Sequence, residues 1–212
     1  MNNYVLANGS MIYKDHKLVK SHKIDPFLVT KILELIKQTK VLSMFNTNEL
    51  EQTFCNSWIL KHKAKFFTKI TYYKEKDIDI NNTFKILLWH NNPKKIAKIH
   101  QQWNKLFGEY LQIDLSGFKN SFIEITSKNV NKGSGNKEFC LISNIDPKKA
   151  IHIGDSMNDA STKGQIGYLC ALKNSVQELK NIADFISEYS CGQQGLVKFI
   201  DKKIDWKNHN LK

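Results

Sequence analysis

The chain has 212 residues, 41% of them hydrophobic and 11% aromatic, which is ordinary for a globular protein and enough for one or two domains with a real core. No apolar run is long enough to span a bilayer, and Met1-Asn2-Asn3-Tyr4 does not begin a secretory signal, so the expectation is a cytoplasmic protein without a membrane partner. The net charge of +12 rests on lysine alone; with no arginine for bidentate contact to guanine and the lysines scattered, it argues against a nucleic-acid partner.

Tyr4-Val5-Leu6-Ala7 reads as a short strand ending in the turn pair Asn8-Gly9, and Met11-Ile12-Tyr13 as a second. Asp15-His16-Lys17 is a hairpin tip with Leu18 and Val19 returning. Asp25-Pro26 starts a helix, Asp as cap and Pro in the first turn, carried to about Lys40 by Phe27, Val29, Ile32, Leu33, Leu35 and Ile36. Val41–Phe45 is a strand. Residues 47–83 carry mixed signals, with strand-like content in Phe66–Tyr73. Phe84–Trp89 is a strong strand. After Asn92-Pro93, the residues Ile96, Ile99, His100, Trp103, Leu106 and Phe107 fall at helical spacing, with the Trp and His read as core packing.

Tyr110–Leu115 and Ser121–Ile125 are further strands. A helix then runs from Lys132 or Gly133 to Ser143, and Asp146-Pro147 turns into a strand at 150–153. Beyond it lie a strand at Gly167–Leu172, a capping box at Ser175-Val176-Gln177-Glu178 opening a helix, a short strand at Ala183–Ile186, and a last helix from Gln194 to Lys202. Alternating helix and strand in the last third implies a parallel sheet. Cys55, Cys140, Cys170 and Cys191 are widely spaced, which argues against a zinc site or a disulfide scaffold and suits reduced, mostly buried thiols.

Chemistry concentrates in Gly154-Asp155-Ser156-Met157-Asn158-Asp159. A strand running into Gly-Asp, with a second acid four residues on, places two carboxylates at the carboxyl end of a sheet, where open α/β sheets bind ligands. Such oxygens, with a neighbouring Ser and Asn, suit Mg²⁺. The alternative is an acidic loop that caps a helix. Gly133 and Gly135, in the first turn of a helix, cost stability unless they let backbone N–H groups approach a phosphate.

Together these motifs resemble the haloacid dehalogenase superfamily, and within it the Cof-type capped phosphatases. The resemblance rests on Asn129-Val130-Asn131-Lys132-Gly133 and Ile151–Asp159. Ala7-Asn8-Gly9-Ser10, Phe122–Thr126, Lys173-Asn174-Ser175 and Gly192–Val197 support it. It implies an α/β fold: an incomplete Rossmann-like core with an inserted α+β cap. The implied division is 1–10 core strand, 11–127 cap and 128–212 core. It further implies a Mg²⁺-dependent phosphatase acting on a small phosphorylated metabolite through an aspartyl phosphate. Lys132 would pair with nucleophile and phosphate, Asp155 would ligate Mg²⁺, Asp159 would support the metal shell through water, and Asn158 would orient the phosphate.

The family's nucleophile lies in an Asp-x-Asp-Gly-Thr-like motif after the first core strand, and this chain has no match to it. Asp77-Ile78-Asp79 has the spacing but no strand before it. Asp114-Leu115-Ser116-Gly117 lacks the second acid; both read as ordinary loops. Three functions stay open: a phosphatase completed by an upstream segment or a partner chain, a non-catalytic remnant that binds metal or phosphate, and a basic nucleic-acid-binding protein.

Overall fold

The computed structural model describes residues 2–48, 51–64, 70–117, 120–205 and 210–211. They form two compact units, residues 1–131 and 132–212.

The first unit opens with β1 (Tyr4–Leu6), β2 (Met11–Lys14) and β3 (Lys17–Ser21), an antiparallel meander. Helix α1 (Pro26–Thr39) starts as the sequence predicts: the Asp25 side chain accepts from the Phe27 amide at 2.8 Å and Pro26 occupies the first turn. It buries Val29, Ile32, Leu33 and Ile36, the stripe that its 3.6-residue period aligns.

β4 (Leu42–Asn46), β5 (Glu51–Phe54), α2 (Trp58–Ala64), β6 (Lys85–Trp89), α3 (Pro93–Phe107), β7 (Leu111–Ser116) and β8 (Phe122–Ser127) follow. The five strands make one antiparallel sheet in the order β5-β4-β6-β8-β7. Alternation sends Phe45, Ile86, Leu88, Ile113, Ile123 and Ile125 to one face, where they pack with the buried stripes of α1 and α3. Trp103 is buried in this core, and His100 meets the Ile113 carbonyl at 3.1 Å, so both serve packing as the sequence suggests. On other positions of the same strands, Lys85 pairs with Glu124 at 3.0 Å, both largely buried, and Asn8 also bonds Glu124.

The 47–83 region resolves into β5, α2 and short 3-10 turns at Glu75–Asp77 and Ile80–Asn82. Half of the strand expected at Phe66–Tyr73, residues 66–69, lies outside the described residues; in the other half Tyr72 makes a single bridge to Thr53.

The second unit contains α4 (Lys132–Ile142), β9 (Ile151–Gly154), β10 (Tyr168–Ala171), α5 (Gln177–Ile182), β11 (Phe185–Ile186) and α6 (Gly195–Lys203). β9, β10 and β11 form the parallel sheet that the alternating pattern implies, in the order β11-β10-β9. The register pairs Ile151 with Tyr168 and Gly154 with Ala171. Tyr168 and Leu172 donate to the Ala150 and Gly154 carbonyls, so the even-numbered residues of this stretch face β10. The backbone groups of Ile151 and Ile153 therefore face the opposite edge, which carries no strand among the described residues.

The capping box expected at Ser175–Glu178 does not form. Val176 stands at the cap position of α5 with no side-chain bond, and the Ser175 hydroxyl donates instead to the Gly154 carbonyl at 3.0 Å. Three of the four cysteines are buried, Cys191 is exposed, and none is in a disulfide.

Candidate active site

Every residue that the sequence singles out as a site residue lies in the second unit, at the carboxyl end of β9 and the start of α4. The strand ends at Gly154, where only glycine fits: a Cβ there would lie 2.4 Å from the Asp159 carboxyl carbon. The chain then turns through Asp155 and Ser156 into the short 3-10 turn Met157–Thr162. The Leu172 amide and the Ser175 hydroxyl hold the Gly154 carbonyl, and the Val176 amide holds the Asp155 carbonyl at 3.1 Å. The loop is thus fixed to the end of the sheet by hydrogen bonds from a segment some twenty residues further on.

Asp159 is 2% exposed and is the hub of the site. Its Oδ2 accepts from the Asp155 amide at 3.1 Å and the Ser156 amide at 3.2 Å. Its Oδ1 accepts from Lys132 Nζ at 2.5 Å and from His152 Nε2 at 2.9 Å. Those contacts occupy all four lone-pair positions of a carboxylate. Burial pushes the Asp159 carboxyl up. The His152 hydrogen bond, the Lys132 ammonium and the Ser156 amide outweigh burial and hold it well below the usual carboxylate range.

Lys132 opens α4, and its ammonium also reaches Asn158 Oδ1 at 3.2 Å. Asn158 Oδ1 takes a second hydrogen bond from Ser156 Oγ at 2.7 Å, which fixes the orientation of the amide. An ammonium has three N–H donors, so Lys132 retains one beyond these two contacts. The close approach of α4 to the loop depends on Gly133: a Cβ there would lie 1.9 Å from the Ser161 carbonyl oxygen. The Gly133 amide donates to Ser161 Oγ at 3.2 Å, so it is spent on the loop rather than left open to a phosphate.

Asp155 differs from Asp159 in every respect. It is exposed, and its hydrogen bonds run through its backbone, leaving the carboxylate uncommitted among the described residues. No group of three or more His, Cys, Asp or Glu among the described residues could hold a metal by itself. Asp155, an exposed carboxylate without a side-chain partner among the described residues, is the kind of oxygen donor of which Mg²⁺ takes one or two, the rest of its shell being water and phosphate oxygens.

The two substitute motifs lie in the first unit. Asp79 Oδ1 accepts from the Asn81 and Asn82 amides and so caps a turn of the first unit, next to Asp77 at the end of a 3-10 turn. Asp114 sits inside β7 rather than in a loop, bonded to Gln112 at 2.8 Å; burial pushes its carboxyl up, and the charge of Glu124 adds to that. Sequence reasoning missed His152, which it read as one residue of a buried strand. Its position on β9, seven residues before Asp159, carries no local signal that the two side chains meet.

A family model described as haloacid dehalogenase-like hydrolase matches residues 1–200. The chain belongs to that family. A Mycoplasma genitalium protein named "Putative phosphatase MG265" is 24% identical, over 93% of this chain and 76% of its own length. A Buchnera aphidicola protein, "Putative phosphatase BU028/BU029", is 27% identical over 83% of this chain and 65% of its own length. The chain therefore spans about two thirds to three quarters of these relatives. Among solved structures, the subclass IIB sugar phosphatase BT4131 superposes with a TM-score of 0.77 at 14% identity, covering 95% of this chain and 75% of that one. The fold is thus the α/β fold of capped haloacid dehalogenase-like hydrolases. No helix among the described residues is long and apolar enough to cross a membrane.

Proposed function

We propose that the second unit carries the metal- and phosphate-holding half of a Mg²⁺-dependent phosphatase acting on a small phosphorylated metabolite. The observation that carries this reading is the contrast between the two acids. Asp159 is buried and fully committed, with Lys132 paired to it, whereas Asp155 is exposed at the carboxyl end of a parallel sheet, its carboxylate uncommitted among the described residues. Residues 1–10 are read as a core strand, 11–127 as the cap and 128–212 as the rest of the core.

In this reading Asp155 holds Mg²⁺. Bound there, Mg²⁺ supplies charge neutralisation at the phosphate oxygens. The remaining N–H of Lys132 binds a phosphate oxygen, and the Asn158 amide orients the group. Asp159 sets the loop through the two backbone amides and fixes Lys132; with its lone pairs filled, it is a brace for the site rather than a direct ligand. The nucleophilic carboxylate is assigned to a strand laid against the open edge of β9, supplied by a longer form of the chain or by another polypeptide. The backbone groups of Ile151 and Ile153, which pair with no strand among the described residues, suit that pairing.

A second reading, a non-catalytic protein that binds metal or phosphate at the same loop, is favoured by one observation. The sole Asp-x-Asp of the chain, Asp77-Ile78-Asp79, ends one 3-10 turn of the first unit and caps the next. One assay separates the two: Mg²⁺-dependent phosphate release from a generic aryl phosphate. We expect little or none from residues 1–212 alone. Extending the chain at its amino terminus with an apolar strand ending in Asp-x-Asp should produce turnover, lost in Asp155→Ala. Robust turnover by the 212-residue chain alone would contradict the assignment of the nucleophile, and silence of the extended chain would favour the non-catalytic reading.

A further inference from the structure

His152 is outside every role assigned above, yet it is wired into the site. It sits on β9, and its side chain is 18% exposed. Its Nε2 lies 2.9 Å from Asp159 Oδ1, the same oxygen that takes the Lys132 ammonium. Its Nδ1 lies 3.2 Å from Asn136 Nδ2. Asn136 stands four residues after Lys132 on α4, one turn along the same face. A continuous run therefore joins Asn136, His152, Asp159, Lys132, Asn158 and Ser156.

The ionised Asp159 sets the direction of the bonds made to it. An ionised Asp159 only accepts, so His152 Nε2 carries a hydrogen and donates. The imidazole is held by α4 on one side and the loop on the other. It gives Asp159 Oδ1 a second donor beside the Lys132 ammonium.

We propose that His152 is a positioning residue that keeps the Lys132 ammonium available to a phosphate. Two donors on one oxygen compete. With His152 occupying one lone pair of Oδ1, Asp159 holds Lys132 through the other alone, and Lys132 stays shared with Asn158 Oδ1. With an apolar residue at 152, one lone pair of the buried Oδ1 loses its donor. Lys132 must then satisfy both lone pairs, and the ammonium is drawn toward Asp159 and away from the ligand position. The inference rests on Lys132 as a phosphate ligand, but its first consequence needs no ligand.

The test compares the full chain with His152→Leu and His152→Gln at one fixed pH. Leu is apolar and of similar size; the Gln amide can still donate to Asp159. The first readout is hydrogen exchange of the Lys132 ammonium by nitrogen-15 NMR. Exchange should slow about five-fold in His152→Leu, the equivalent of one ordinary hydrogen bond, and stay within about two-fold of the parent in His152→Gln. The second readout is the Kd for inorganic phosphate in the presence of Mg²⁺, expected to rise by about the same factor in the Leu variant alone. Unchanged or faster exchange in His152→Leu overturns the proposal, as does equal behaviour of the Leu and Gln variants. A purely structural role would move the thermal midpoint of both variants and leave the Lys132 signal as in the parent. If the parent binds no phosphate while exchange slows as expected, the phosphate-site reading fails and the positioning role stands.

Discussion

Asp159→Ala should destabilise the chain by about 3 kcal/mol in a urea titration followed by fluorescence and circular dichroism. The substitution orphans the Asp155 and Ser156 amides and the His152 N–H together, and removes the counter-charge of Lys132. Because the Lys132 side chain is 29% exposed, water satisfies part of its charge, which keeps the figure at the low end of the range for breaking a buried pair. The effect depends on pH with a definite sign. The folded carboxyl is held below its ordinary value, so its stabilisation is fully present above about pH 4 and is lost as pH falls toward the folded value. The difference between parent and variant should therefore shrink in acid. A constant difference across that range would show that packing, rather than the charge network, carries the effect.

Gly133→Ala should cost about 3 kcal/mol in the same measurement, the upper end for overpacking. Alanine in the first turn of an exposed helix ordinarily gains roughly 1 kcal/mol over glycine, so the expected sign is opposite to the local preference. The reason is the Ser161 backbone. The new Cβ would lie 1.9 Å from its carbonyl oxygen and 2.6 Å from its carbonyl carbon, and neither can rotate away as a side chain could. To make room, α4 and the turn Met157–Thr162 must separate, carrying Lys132 away from Asp159. Gly192→Ala is the control: its Cβ meets nothing within 4 Å, and its change should stay within about 0.5 kcal/mol of zero. A stabilised Gly133→Ala would refute the close approach on which the site geometry depends.

What was legible in the sequence was what short-range chemistry decides. Asp25-Pro26 and Asn92-Pro93 mark the starts of α1 and α3 because cap and first turn are written in adjacent residues. The β9 loop was legible because Gly154 and Asp159 must coexist at that spacing for the turn to close. The rest depends on partners far along the chain. Ser175-x-x-Glu178 satisfies the pattern of a capping box, but the Gly154 carbonyl, 21 residues earlier, takes the hydroxyl. His152 satisfies the pattern of a strand residue, and only the fold brings it to Asp159 and Asn136. Gly133 reads as a helix weakness until the Ser161 carbonyl is seen against it. The same limit applies to Asp155 and Asp159. Their spacing alone does not separate them, whereas the structure commits the Asp159 carboxylate to the loop and leaves that of Asp155 exposed and uncommitted among the described residues.

That difference is the centre of the account, and a Mg²⁺ titration followed by backbone amide NMR addresses it most directly. In the parent chain, Mg²⁺ should shift the amides of residues 154–159 and of Lys132, with the shifts abolished in Asp155→Ala. Shifts that persist in Asp155→Ala, or a loop that does not respond to Mg²⁺ in the parent, would contradict it.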